Sequence, residues 1–390
     1  MSFTLDSCVP APVCKDKTYK MDSLDRYQDI GKYLGDPAKA DWVGQGEPVV
    51  YNGNVLLTMP KNSVGTVMAS TTYMWYGNVK AKLKTSRGAG VVTAFILFSD
   101  VKDEIDYEFV GVDLNTAQTN YYFQGIPDYQ NTGNITELTN TYDNFHEYEI
   151  QWTPDEISWL VDGKVHRTKK KSETFNATTN QYHFPQTPSR VQLSIWPGGL
   201  ATNAKGTIDW AGGEIDWDSP EIKTYSYYFA TFGQIEVECY KTNSPPGTNK
   251  GVSYYYNDAR GTNDTVVDGN KRTSLKSFLG TGTDMDAGSS ASSGADPSAS
   301  TVNSVPGGSV NPGNQVPGGS ISSSDGADSS GGGNTGGTGT GSAPGCQSTE
   351  WAQNCGGTTN NKNDGVRGAD RTLGASAFAV VIGFVALLCL

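Results

Sequence analysis

Three carboxylates recur at every second position in DEIDYEFVG, the stretch from Asp103 to Gly111: Glu104, Asp106 and Glu108. In an extended chain alternate side chains share a face, so these three point one way while Ile105, Tyr107 and Phe109 point the other. The apolar side reads as core. Carboxylates two residues apart on a strand sit roughly 7 Å from one another, and each pair repels by about 2 kcal/mol at an effective dielectric of about 20. In open water the repulsion drops to about a quarter of that, and the stripe is a solvated face; in a cleft, one of the groups must hold its proton at neutral pH.

A proton-holding acid beside ionised carboxylates suits the cleavage of a glycosidic bond: one group attacks the anomeric carbon, and another protonates the leaving oxygen. Retaining enzymes hold the two groups about 5 to 5.5 Å apart. The Cα atoms of Glu104 and Glu108 lie roughly 13 Å apart on a strand, a gap that two inward-leaning arms largely close. Asp106 between them can hydrogen-bond the ionised glutamate and help set its charge. The spacing predicts a covalent glycosyl-enzyme, and by itself it does not order the two glutamates.

Such a strand needs a sheet around it. Between about Tyr19 and Lys241 the apolar pattern has period two, not 3.6. GNVKAKLKT (Gly77 to Thr85) alternates like a half-buried strand, VVTAFILFS (Val91 to Ser99) is a continuous apolar run covered on both sides, and HEYEIQWTP (His146 to Pro154) alternates again. ISWLVDGKVHRT reads as two strands joined at Asp162-Gly163, a strong hairpin signal. The predicted fold is all-β: a sandwich of two curved antiparallel sheets, a jelly roll, whose concave face takes a long ligand. Trp75, Tyr76, Tyr121, Tyr122, Phe123, Trp196, Trp210 and Trp217 are available to line it, with most of them expected in the core.

The expected organisation is an amino-terminal segment (1–18), a catalytic domain (19–241), its extension (242–279), a low-complexity stalk (280–373) and an apolar tail (374–390). The stalk is Gly, Ser, Thr, Asn and Pro, with VPGGS repeated at Val305 and Val316, too poor in large apolar side chains to offset the entropy of ordering. The tail, GASAFAVVIGFVALLCL, is short for a membrane-spanning helix. With Asn363-Asp364-Gly365 and a polar spacer before it, it reads as a signal for a glycosylphosphatidylinositol anchor attached at Asn363. Such an anchor requires secretion, yet MSFTLDSC has neither a basic start nor an apolar run, so the natural chain is expected to begin further upstream. Sequons at Asn134, Asn176 and Asn263 agree with an extracellular location. The cysteine spacing suggests the pairs Cys8–Cys14 and Cys346–Cys355, with Cys239 unassigned.

A formal net charge of −12 argues against nucleic-acid binding and is compatible with a neutral polymer. The one basic run, Lys169-Lys170-Lys171, reads as a solvated loop. His146, His166 and His183 are scattered and no C-x-x-C occurs, so no metal or other cofactor is expected. The absence of G-x-S-x-G removes a serine hydrolase of the nucleophile-elbow type.

EIDYE (Glu104 to Glu108) resembles the E-x-D-x-E strand of glycoside hydrolase family 16, and the resemblance extends through QTNYYFQG, FHEYEIQWTPDEISWLVDG and SRVQLSIWPGG. With the stalk and anchor signal, the chain most resembles the Crh family of fungal cell-wall transglycosylases. The resemblance implies Glu104 as nucleophile, Asp106 as its helper and Glu108 as general acid/base. It also implies Gln118 and Asn120 as donor-subsite residues and Trp196 as a stacking wall, with Glu108, Arg190, Gln192 and Thr207 as further sugar contacts. Members of this subgroup cut β-1,4-linked chitin and pass the new end to chitin or β-glucan, which would make those polysaccharides the partners of a monomeric enzyme. A hydrolase of β-1,3/1,4-glucan and a non-catalytic wall lectin are the competing expectations.

Overall fold

The structure is a computed structural model in which residues 4–289 are described. Two large sheets face each other, as a jelly roll requires. The front sheet has eight strands, numbered in chain order: β1 (Tyr27–Asp29), β2 (Trp42–Gln45), β3 (Thr66–Met74), β4 (Val91–Ser99), β5 (Glu104–Val110), β6 (Ala117–Tyr122), β7 (Gly133–Ile135) and β8 (Ser189–Pro197). Their spatial order is β7-β6-β5-β4-β8-β3-β2-β1. All neighbours are antiparallel except β1 and β2.

The back sheet runs in the order Lys164–Lys170, Glu156–Val161, His146–Trp152, Gly77–Lys84, Tyr227–Cys239, Asn54–Pro60 and Val49–Tyr51. A short strand, Lys17–Tyr19, adds to Tyr227–Cys239. Each period-two expectation is met here. Gly77–Lys84 alternates between buried and more accessible positions, and Val91–Ser99 is buried at every residue. The hairpin turns at Asp162-Gly163, both with φ in the left-handed region. Side chains from both inner faces make one core: Phe95, Ile105, Tyr107, Phe109, Val191 and Leu193 from the front, Val79, Ala81, Leu83, Ile150, Trp152 and Trp159 from the back.

Besides the basic run, whose Lys169 and Lys170 end a strand and do not form a loop, two expectations need correction. Cys14 pairs with Cys239, Cα to Cα 5.9 Å, and not with Cys8. The reason is sheet register: Lys17 sits opposite Val237, which carries Cys14 to the end of the Tyr227–Cys239 strand. Cys8 is buried apart from that bridge. The second correction concerns the stalk boundary. Residues 280–289 hydrogen-bond back to the domain, with Gly282 N donating to Asp6 O and Lys276 N to Met285 O. Backbone bonds fold this stretch, and a composition of small polar side chains does not register them.

The amino-terminal segment and the extension also meet. Ala11–Pro12, Ser253–Tyr256 and Val266–Gly269 form a three-stranded sheet, and Ser253–Tyr256 is its centre. Asn363, Cys346, Cys355, most of the stalk and the apolar tail lie outside the described residues.

Candidate active site

The acidic stripe occupies β5, an interior strand of the front sheet with β4 on one side and β6 on the other. Its apolar face anchors it. Tyr107 lies parallel to Phe95 and Phe109, at 6.1 and 6.2 Å between ring centroids, and its hydroxyl donates to Leu160 O at 2.7 Å. Trp159 Nε1 donates to Asp106 O at 3.0 Å, so the middle of the stripe is held from beneath by the back sheet. At the strand's start Asp103 accepts from Gln124 N, Gln186 N and Thr187 Oγ1 at 2.9, 2.8 and 2.7 Å, tying two loops to β5.

Antiparallel register extends the face sideways, because residues directly opposite share a side of the sheet. Glu104 lies between Tyr122 and Phe98, Asp106 between Asn120 and Ile96, and Glu108 between Gln118 and Ala94. On β8 the rows continue as Arg190, Gln192 and Ser194, and Trp196 follows beside Val92. Glu104, Asp106, Glu108, Gln118, Asn120, Arg190, Gln192 and Trp196 are thereby brought onto one face by three strands, two of them consecutive in the chain and the third, β8, far along it.

At the Glu108 end Trp210 stacks on Trp196, 5.8 Å between centroids and 28° between planes, while its Nε1 donates to Gln118 Oε1 at 2.8 Å. Trp210 comes from a six-residue helix, Lys205–Trp210, in which Thr207 is buried. At the Glu104 end Asn120 Nδ2 donates to the Tyr122 hydroxyl at 2.7 Å, and the Arg190 guanidinium sits 4.9 Å from the centre of the Tyr73 ring. Tyr122 and Trp210 are among the aromatics available to line the face, but the sequence assigns neither a specific role at the site. Tyr122 continues the alternation Gln118, Asn120, Tyr122 and was findable on that ground. Trp210 reaches the face from a helix with no periodic signal.

The electrostatics follow from burial. No donor among the described residues reaches Glu104 Oε1, Glu108 Oε1 or either carboxyl oxygen of Asp106. Two bare carboxylates repel, so the hydrogen bond that links Asp106 to Glu104 requires a proton between them. Burial, then the charges of Glu104 and Glu108, hold Asp106 well above the usual carboxylate range, so it takes that proton first. Burial raises Glu104 as well, while the bond from Asp106 draws it down and the charge of Glu108 pushes it up. Burial alone pushes Glu108 up to about 7. Burial raises both glutamates, and what sets Glu104 apart from Glu108 is the hydrogen bond it accepts from Asp106. The phenol of Tyr122, opposite Glu104 on the neighbouring strand, is raised by burial and by all three carboxylates and stays neutral beside them.

The three sequons differ in setting. Asn134 is exposed on β7. Asn176 lies on a two-stranded ribbon with its Oδ1 accepting from Thr178 N and Thr179 N. The Asn263 side chain is hydrogen-bonded to the Tyr76 hydroxyl.

Residues 37–212 match the model of glycosyl hydrolases family 16. The chain is 65% identical over 291 residues to Crh-like protein 3 of Botryotinia fuckeliana, covering 75% of this chain and 65% of the relative's length. It is 55% identical over 318 residues to Crh-like protein 2 of Aspergillus fumigatus, covering 80% of this chain and 72% of that one. A solved structure described as Crh5 transglycosylase in complex with NAG aligns with a TM-score of 0.55 and 26% identity, over 67% of this chain and 95% of that one. The fold, the placement of the acidic strand and these likenesses agree: the chain belongs to glycosyl hydrolases family 16, in its Crh-like group.

Proposed function

We propose that this protein is a retaining transglycosylase that cuts chitin through a covalent glycosyl-enzyme and transfers the new end to β-glucan or chitin, cross-linking the fungal cell wall. One observation carries the reading: Glu104, Asp106 and Glu108 share a buried face with a proton to distribute and an aromatic pair, Trp196 and Trp210, at its end. Glu104 attacks the anomeric carbon. Its C–O bond forms as the glycosidic C–O bond breaks, and the Glu108 proton goes to the leaving oxygen. Asp106, protonated, donates to Glu104 and holds its charge until attack, then keeps the ester oxygen oriented. In the second half Glu108, now ionised, takes the proton from an incoming hydroxyl, which displaces Glu104. Water and a sugar hydroxyl compete at that step, and the better positioned nucleophile wins.

Sugar contacts fall to Gln118, Asn120, Arg190, Gln192 and Trp196, with Thr207 acting from within its helix. Tyr122 joins them as a donor beside the carboxylates. The sequons, the stalk composition and the apolar tail support a glycosylated, secreted protein tethered by a glycosylphosphatidylinositol anchor at Asn363 and working as a monomer in the inner wall.

The test is incubation with chitin and a fluorescent oligosaccharide acceptor, beside Glu104→Gln and Glu108→Gln. Label entering insoluble polymer with the parent protein and with neither variant is the expected result. Release of reducing sugar alone makes the protein a hydrolase, and binding with no product makes it a lectin.

A further inference from the structure

Asn134 sits on β7, the outermost strand of the front sheet on the β6 side. Its neighbour Ile135 is buried in the core, so Asn134, exposed, takes the opposite face. Register settles which face that is: Asn134 pairs with Gln118, and Gln118 pairs with Glu108. The sequon Asn134-Ile135-Thr136 is thus on the acidic side of the sheet, in the row of the general acid, two strands away. At about 4.8 Å per strand that is about 10 Å from β5.

The direction of the substrate follows from the chemistry. In a retaining displacement the nucleophile and the acid flank the bond being cut. Glu104 and Glu108 are spaced along β5, so a polysaccharide lying between them crosses the strands, following the Asp106 row. On one side it passes Ile96 and Gln192, and on the other Asn120 and then the edge strand β7. Asn134 stands at that edge, one row over from the path on the Glu108 side. The other two sequons do not share this position, since Asn176 is on a separate ribbon and Asn263 turns its amide to Tyr76.

We propose that Asn134 carries an N-linked glycan that walls off the β7 end of the substrate path and limits how many sugar units bind on that side of the cut. The distance from β5 leaves room for about two units before the glycan is met. This inference rests on the transglycosylase reading above. It adds a length-selecting device that the side chains of the face do not themselves supply.

The full chain is secreted from a eukaryotic host with Glu104→Gln to stop turnover, and glycopeptide mass spectrometry reads Asn134. Affinity is then measured for β-1,4-linked N-acetylglucosamine oligomers of increasing length, with and without Asn134→Gln or Thr136→Ala. Thr136 is exposed, and its substitution removes the sequon while leaving Asn134 in place. The expected result is an occupied Asn134, and about fivefold tighter binding of long oligomers in both sequon variants, one recovered polar sugar contact, with short oligomers unchanged. An unmodified Asn134, or a length profile identical in all forms, overturns the inference and leaves the transglycosylase reading standing. Failure of every form to bind any oligomer overturns both.

Discussion

Replacing Glu108 by glutamine gives the most direct test of the buried-carboxylate argument, because it predicts a gain in stability at one pH and none at another. In the folded chain burial moves Glu108 from its ordinary 4.5 up to about 7. The folded state therefore binds this proton more tightly than the unfolded state, so stability is highest below about 4.5 and falls as the pH rises toward about 7. A rise of that size corresponds to about 3 kcal/mol at 1.36 kcal/mol per pH unit. Glutamine keeps the shape and carries no charge to desolvate. The variant should be more stable than the parent by about 3 kcal/mol at pH 8, and equal to it near pH 4. Urea denaturation at a series of pH values, with m-values compared to confirm the same unfolding, reads the difference. A gain that is the same at every pH would reflect packing and not charge. No gain at pH 8 would mean that the carboxylate is solvated, and the reasoning that makes Glu108 the acid would fail.

Other consequences can be checked on the same protein. Activity should fall as the pH rises through about 7, because an ionised Glu108 has no proton for the leaving oxygen; a kcat/KM profile with no alkaline limb there would contradict the assignment. Trp196→Ala should weaken substrate binding about three- to tenfold, read as a rise in KM larger than any change in kcat. Trp159→Phe leaves Asp106 O without its indole donor and should lower stability by about 1–2 kcal/mol while reducing kcat more than it raises KM. Cys14→Ser or Cys239→Ser opens a bridge between residues 225 apart in sequence and should cost about 3–5 kcal/mol in chemical denaturation.

Local rules carried the sequence reading a long way, and they stopped where contacts become long-range. The period of two located the strands, Asp162-Gly163 located a hairpin, and alternation put Glu104, Asp106 and Glu108 on one face. None of these needs information from beyond a few residues. Which strands lie beside β5 is a different matter: β8 begins 85 positions after Glu104, and no periodicity announces that Gln192 lies in the row of Asp106. The resemblance to a family supplied Gln192 and Trp196, whereas Trp210, brought in by a short helix, had no such motif. The cysteine pairing failed for the same reason. Cys8 and Cys14 are near in sequence, but the sheet register that joins Cys14 to Cys239 depends on a strand more than 200 residues later.

The order of strands within the two sheets also bears on how the chain is made. Front-sheet strand β8 separates β3 from β4, and the Tyr227–Cys239 strand separates Asn54–Pro60 from Gly77–Lys84 in the back sheet. Each sheet is thus bisected by a strand synthesised after its neighbours. A growing chain cannot complete either layer from its amino-terminal end; the front sheet stays open until residue 197 has emerged and the back sheet until residue 239. The back sheet is the later of the two to be completed, and the Cys14–Cys239 bridge ties the chain's start to the end of the strand that completes it.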